Sequence, residues 1–138
     1  MKKLGLILSV IAISLTFSCK DSDTKEVPTQ MQQVMAVHDE VMPKMSTIGR
    51  LISKIDEKIQ ETDSTETLLN AQADLRDANK SMMEWMKGFG DRFESDEIMK
   101  GKKLTKEKQR FLDEEEVKVK ALRDKMNTSI ENAEALLK

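Results

Sequence analysis

Cysteine occurs once in this chain, histidine once, tryptophan once and tyrosine not at all. One cysteine excludes an internal disulfide framework. One histidine excludes the paired-imidazole zinc motifs. With no Gly-rich phosphate loop and no Glu-x-x-His pair either, hydrolase, zinc-protease and di-iron chemistry lack their parts. The sequence therefore predicts a protein that is not an enzyme. Only two prolines and five glycines punctuate 138 residues, and 35% of the residues are charged. That balance suits long helices with solvated faces. Aromatic residues make up 4%, so Leu, Ile, Val and Met must fill the core. The charges alternate in sign, and no basic footprint for nucleic acid appears.

What is present begins with the one long apolar run, the 14 residues from Leu4 to Phe17. A membrane-spanning helix needs about 20. Lys2 and Lys3 precede the run, and Thr16 and Ser18 supply small residues before Cys19, the layout of a cleaved export signal. The segment Leu15-Thr16-Phe17-Ser18-Cys19 resembles the lipobox of lipoprotein signal peptidase substrates. It departs from the usual pattern at Thr16, where leucine is common. Lipidation explains both why Cys19 is the lone cysteine and why it sits at the cut. Each buried CH₂ of an acyl chain adds about 0.8 kcal/mol of membrane affinity, and two or three chains anchor stably. The expectation is a signal peptide over 1–18 and a lipid on Cys19 that holds the protein in the cell envelope, on the periplasmic face of the outer membrane or the cell surface. Plain secretion and an uncleaved anchor are the alternatives. Residues 19–29 read as lipidated cysteine and flexible tether, and residues 30–138 as one helical domain. Loss of the signal leaves 21 basic and 25 acidic residues, a formal charge of −4.

Heptads organise the remainder. Met31, His38, Met45, Ile52 and Ile59 recur every seven residues, and Val34, Val41, Ile48 and Ile55 do the same three positions on. This predicts a helix over 30–60 with an a/d seam. Asp63-Ser64-Thr65-Glu66 offers a cap for a second helix. Its seam is Leu68, Leu75, Met82 and Phe89 with Ala71, Ala78 and Trp85. Gly88 and Gly90 weaken its end, and residues 90–103 read as a linker. Thr105 can cap a third helix with a seam of Leu112, Val119, Leu122, Met126, Ile130, Ala133 and Leu137. Glu115 falls near that seam, where it would need a polar partner. The short connection at 61–64 predicts an antiparallel hairpin, and the whole predicts an all-α antiparallel three-helix bundle. A two-helix hairpin completed by a second copy is the alternative. Pro43 interrupts the first helix without breaking its heptads, so the expectation is one kinked, continuous helix.

Seven of the ten methionines lie in two stretches, Met31, Met35, Met42 and Met45, then Met82, Met83 and Met86. Antiparallel pairing about residue 63 brings the two stretches to one end of the molecule and sets His38 near Trp85 to Phe89. Methionine is an adaptable core filler, which is one reading. The other is a soft site built from His38, Met35, Met42, Met45, Met82 and Met86. Thioethers and imidazole select Cu(I), and a non-covalent haem held by His and Met is a variant. Asp39 and Glu40 read as surface charges. A seam imidazole without a carboxylate would resist protonation, so acid would loosen that end.

The stretches Val34-Met-Ala-Val-His-Asp-Glu-Val-Met-Pro-Lys-Met45, Met82-Met-Glu-Trp-Met-Lys-Gly-Phe89 and Ser129-Ile-Glu-Asn-Ala-Glu-Ala-Leu-Leu137 resemble a family of small Bacteroidota envelope lipoproteins, often labelled "viral A-type inclusion protein". The acidic start Lys20-Asp21-Ser22-Asp23 is similar to post-cysteine segments that route some such lipoproteins to the cell surface. The resemblance implies an anchored helical protein and no particular activity. Residues and resemblance together predict a non-enzymatic module that meets the membrane through Cys19 and meets a protein partner, or a second copy, through its helix faces.

Overall fold

The computed structural model describes residues 27–63 and 65–138. The predicted signal peptide, Cys19 and most of the tether lie outside the described residues. Those described form five α-helices and no strand: α1 (Gln30–Val41), α2 (Lys44–Gln60), α3 (Glu66–Arg92), α4 (Ser95–Met99) and α5 (Lys106–Leu136). None of these helices is long and apolar enough to cross a membrane.

Local chemistry sets the ends. Thr29 Oγ1 accepts the Gln32 N–H at 3.2 Å, while Gln32 Oε1 accepts the Thr29 N–H at 2.7 Å. This reciprocal box satisfies two of the donors that every helix start leaves over. Thr105 caps α5 as expected, its hydroxyl accepting the Lys108 N–H at 3.2 Å. Thr65 does not cap α3: its torsions are helical (φ −104°, ψ −15°) and its side chain makes no capping bond.

Side-chain pairs give the topology. Gln30 donates to Asp113 and Lys44 to Asn127, both 83 residues apart, so the first arm runs parallel to α5. Arg92 meets Glu114 and Glu115 while Lys125 meets Ser81, so α3 and α5 run antiparallel. Gln72 donates to Asp56 at 2.6 Å across the α2–α3 hairpin. The α1–α2 arm, α3 and α5 thus pack as three arms around one core. Within it α1 lies mainly on α5, and α2 mainly on α3.

Two expectations about continuity need correction. The first arm is two helices, not one. Pro43 has no N–H to give, the ladder stops at Met42–Pro43, and Met45 N–H bonds back only three residues, to the Met42 carbonyl at 3.2 Å. Met42 and Pro43 keep right-handed torsions (φ −51°, ψ −46° and φ −62°, ψ −24°), so the heptads stay in phase. Nor are residues 90–103 merely a linker. Helix α3 runs through Gly88 and Gly90 to Arg92, and α4 follows. The latter closes on Gly101, whose φ of +67° L side chains rarely adopt, and the Lys102 N–H returns to the Asp96 carbonyl at 3.2 Å.

The core follows the seams unevenly. Every predicted seam residue of α3 is buried, and Val34, Val41, Ile48 and Ile55 are sealed completely. The alternate row of His38, Met45, Ile52 and Ile59 is only half buried, and Leu51 takes a core place instead. A straight helix drifts against a seven-residue repeat, so one row stays central while the other slides to the edge.

Candidate functional site

The edge row places His38 against α3. Its ring lies 5.7 Å from that of Trp85, which stacks at 4.9 Å on Phe89, which in turn meets Phe93 at 4.8 Å. This aromatic file runs along the C-terminal half of α3, because Trp85, Phe89 and Phe93 recur every fourth residue. Beside it opens a cleft of about 230 Å³ lined by Met35 and His38 of α1, Trp85, Met86 and Phe89 of α3, and Ile98 of α4. The six residues singled out as soft ligands therefore divide. Met35, His38 and Met86 border one cleft. Met82 is fully buried in the core, Met45 packs half-buried against that core, and Met42 faces solvent.

Asp39 is not a bystander. Its Oδ1 lies 2.9 Å from His38 Nδ1, which corrects the expectation of an imidazole without a carboxylate. A carboxylate can only accept in that bond, so Nδ1 carries the proton and Nε2 of the neutral ring keeps its lone pair. The His38 side chain is 17% exposed, that of Asp39 72%. A solvated acid thus orients a mostly covered ring. Among the described residues no group of three His, Cys, Asp or Glu side chains is arranged to hold a metal ion. Any soft site here must draw on sulfur.

A second feature lies on the other flank of Trp85. Helices α3 and α5 leave a groove of about 440 Å³ between Ser81, Glu84 and Gly88 on one side and Glu115, Ala121, Leu122 and Lys125 on the other. Beyond the bridge that Lys125 makes to Ser81 and Asp77, two further hollows lie between the same helices, one beside Asp74, Thr128 and Asn132 and one beside Thr67, Ala71 and Ala135. From Thr67 to Gly88 a helix rises about 30 Å. Small side chains (Ser81, Gly88, Ala121, Thr128, Ala71 and Ala135) alternate along this length with charged and amide ones. Trp85 borders the groove as well as the cleft, and its Nε1 is buried with no hydrogen-bond partner. An orphaned buried donor costs about 1–3 kcal/mol.

Two buried carboxylates complete the picture. Glu115 meets two polar partners that the sequence did not name, Arg92 at 2.9 Å and Lys118 at 2.9 Å, and Arg92 also covers the Phe111 ring at 4.6 Å. Glu97 of α4 was not anticipated. Its carboxylate accepts from Lys108 Nζ at 2.6 Å and from the Glu94 N–H at 2.8 Å. Those two bonds, Lys108 first, hold its carboxyl below the usual carboxylate value. The sequence carried one signal for it, two acids three residues apart after Phe93, which is the spacing of a capping box with Glu94 as the cap.

No protein-family model, curated protein or solved structure matches this chain.

Proposed function

We propose that the chain is a non-enzymatic, lipid-anchored helical module of the cell envelope, which acts by receiving a helix of a protein partner along α3 and α5. The observation that carries this reading is the α3–α5 groove. With the two hollows beyond Lys125 it extends about as far as a 20-residue helix, small residues such as Gly88, Ala121, Ala71 and Ala135 open its walls at intervals, and both signs of charge line it through Glu84, Glu115, Lys118 and Lys125. The third and fifth helices already pack antiparallel, so a helix laid between them completes a four-helix arrangement. A partner acceptor reaching Trp85 would also satisfy its buried N–H.

The anchor rests on the lipobox-like segment and the lone Cys19, together with the resemblance to Bacteroidota envelope lipoproteins. Thr29 caps the first helix ten residues after that cysteine, and Val27 is almost wholly exposed. The lipid and tether would hold a three-helix bundle beside the outer membrane, on its periplasmic or outer face.

Both halves are tested on the full chain expressed in a cell that processes lipoproteins. Intact mass on the membrane fraction should show the chain starting at Cys19 with acyl groups added. A photo-crosslinking residue at Ala121 or Ala135, in the groove, should give a discrete adduct that the same residue at Lys54, on the exposed back of α2, does not give. An adduct of twice the protomer mass would identify a second copy as the occupant. Unacylated protein in the soluble fraction would overturn the anchor. Equal labelling at Ala121, Ala135 and Lys54 would overturn the groove.

A further inference from the structure

We propose that Met35, His38 and Met86, with the face of Trp85 beside them, bind one soft monovalent cation, Cu(I), and that the ion staples α1 to α3. This goes beyond partner binding and uses the opposite flank of Trp85.

Four observations converge. The three potential ligands border the same cleft, two from α1 and one from α3. They are two thioethers and an imidazole, the donor set that prefers Cu(I) to hard cations. The imidazole is already held as a ligating histidine is held elsewhere. Asp39 Oδ1 accepts a hydrogen bond from Nδ1–H at 2.9 Å, which fixes the tautomer and leaves the Nε2 lone pair for a metal. Finally, the Trp85 ring lies 5.7 Å from the imidazole and supplies an electron-rich face for a partly desolvated cation. The space of about 230 Å³ suits a single ion with its side-chain ligands and is too small for a macrocycle.

The same geometry gives the ion a structural role. Helix α1 packs on α5 and barely on α3, and Pro43 separates it from α2. A metal joining Met35 and His38 to Met86 would add the missing tie between α1 and α3. Binding should therefore raise the melting temperature, and the gain should lie in α1.

Trp85 is the only tryptophan, so its fluorescence reports the cleft without a label. The full chain is titrated with Cu(I) under anaerobic competition from bicinchoninate, and separately with Ag(I), which does not change oxidation state. The expected result is saturable quenching at one equivalent with a rise in melting temperature. Met35→Leu and Met86→Leu conserve volume and keep the fold, and each should weaken binding at least tenfold. Asp39→Asn should weaken it about 10–100-fold, the usual effect of removing a ligand's outer partner. Met42→Leu and Met83→Leu alter exposed thioethers and should leave affinity unchanged. Absence of saturable quenching, or equal losses in the Met42 and Met83 variants, would overturn the site.

Discussion

Arg92 Nη1 and Glu115 Oε1 meet at 2.9 Å between α3 and α5, the glutamate side chain 3% exposed and the arginine side chain 30%. A covered acid is thus neutralised by a base that keeps one side in water. Removing one partner of such a pair is costly because the other charge stays buried, whereas an apolar replacement of the acid can be harmless. Arg92→Ala should lower unfolding free energy by about 1–3 kcal/mol, with Lys118 limiting the loss. Glu115→Leu should cost less than Arg92→Ala. Urea denaturation of both variants checks the order, and a larger loss in Glu115→Leu would contradict it.

Glu97 makes stability sensitive to acid. Its carboxyl is held below the usual value by Lys108 and by the Glu94 N–H. The unfolded chain therefore takes up this proton first as pH falls. The group's contribution is complete above the ordinary carboxylate value and disappears as pH drops through the lowered one. Glu116 is held down in the same direction by Lys120 and then Gln30, and Asp77 by Lys125. Melting temperature should fall between pH 5 and pH 3, and Glu97→Gln should flatten that fall. An identical slope in the variant would exclude Glu97 as a source.

Pro43 occupies the N-terminal cap position of α2 rather than its interior, and Ser46 donates to its carbonyl at 2.8 Å. Proline is tolerated at a helix start, whereas an interior proline costs about 3 kcal/mol. Pro43→Ala should therefore change stability by less than about 1 kcal/mol. A gain near 3 kcal/mol in a denaturant titration would show that the proline strains a helix that would otherwise be continuous.

Leu75 is sealed at the centre of α3. Truncation to alanine should cost about 2–5 kcal/mol, the range for a fully buried leucine whose cavity does not collapse. Leu69, on the same helix but half exposed, should cost less than about 1 kcal/mol when changed to alanine. Thermal melts of the two variants separate them.

The long arms were legible because seven-residue recurrence is a property of helices that pack along their length. Every predicted seam position of α3 proved buried, from Leu68 to Phe89. What periodicity could not express was short or polar. Helix α4 has only five residues, too few to repeat, and its buried member is an acid. The break at Met42–Pro43 escaped the heptads because both residues keep helical torsions, so the phase crosses it unchanged. The site was half legible. Hairpin pairing placed His38 by Trp85, but it could not tell that Met82 turns into the core and Met42 into solvent, since a helix only 3.6 residues per turn sends near neighbours in sequence to different faces. The Asp39 partner is not legible in the sequence because adjacent residues on a helix diverge in direction, and only side-chain torsions bring their tips together.

The break at Pro43 also has a mechanical meaning. Gln30 and Lys44 bond to α5 at the same 83-residue offset on either side of it, so no register is lost across the joint. Tension applied at Val27 falls first on α1, which leans on α5 alone for most of its grip. Because the backbone ladder is interrupted at Met42–Pro43, peeling α1 need not drag α2 from its place between α3 and α5. The first arm is thereby divided into a leading segment that can yield and a trailing one that stays seated, and Pro43 sets the point at which an unzipping front would pause.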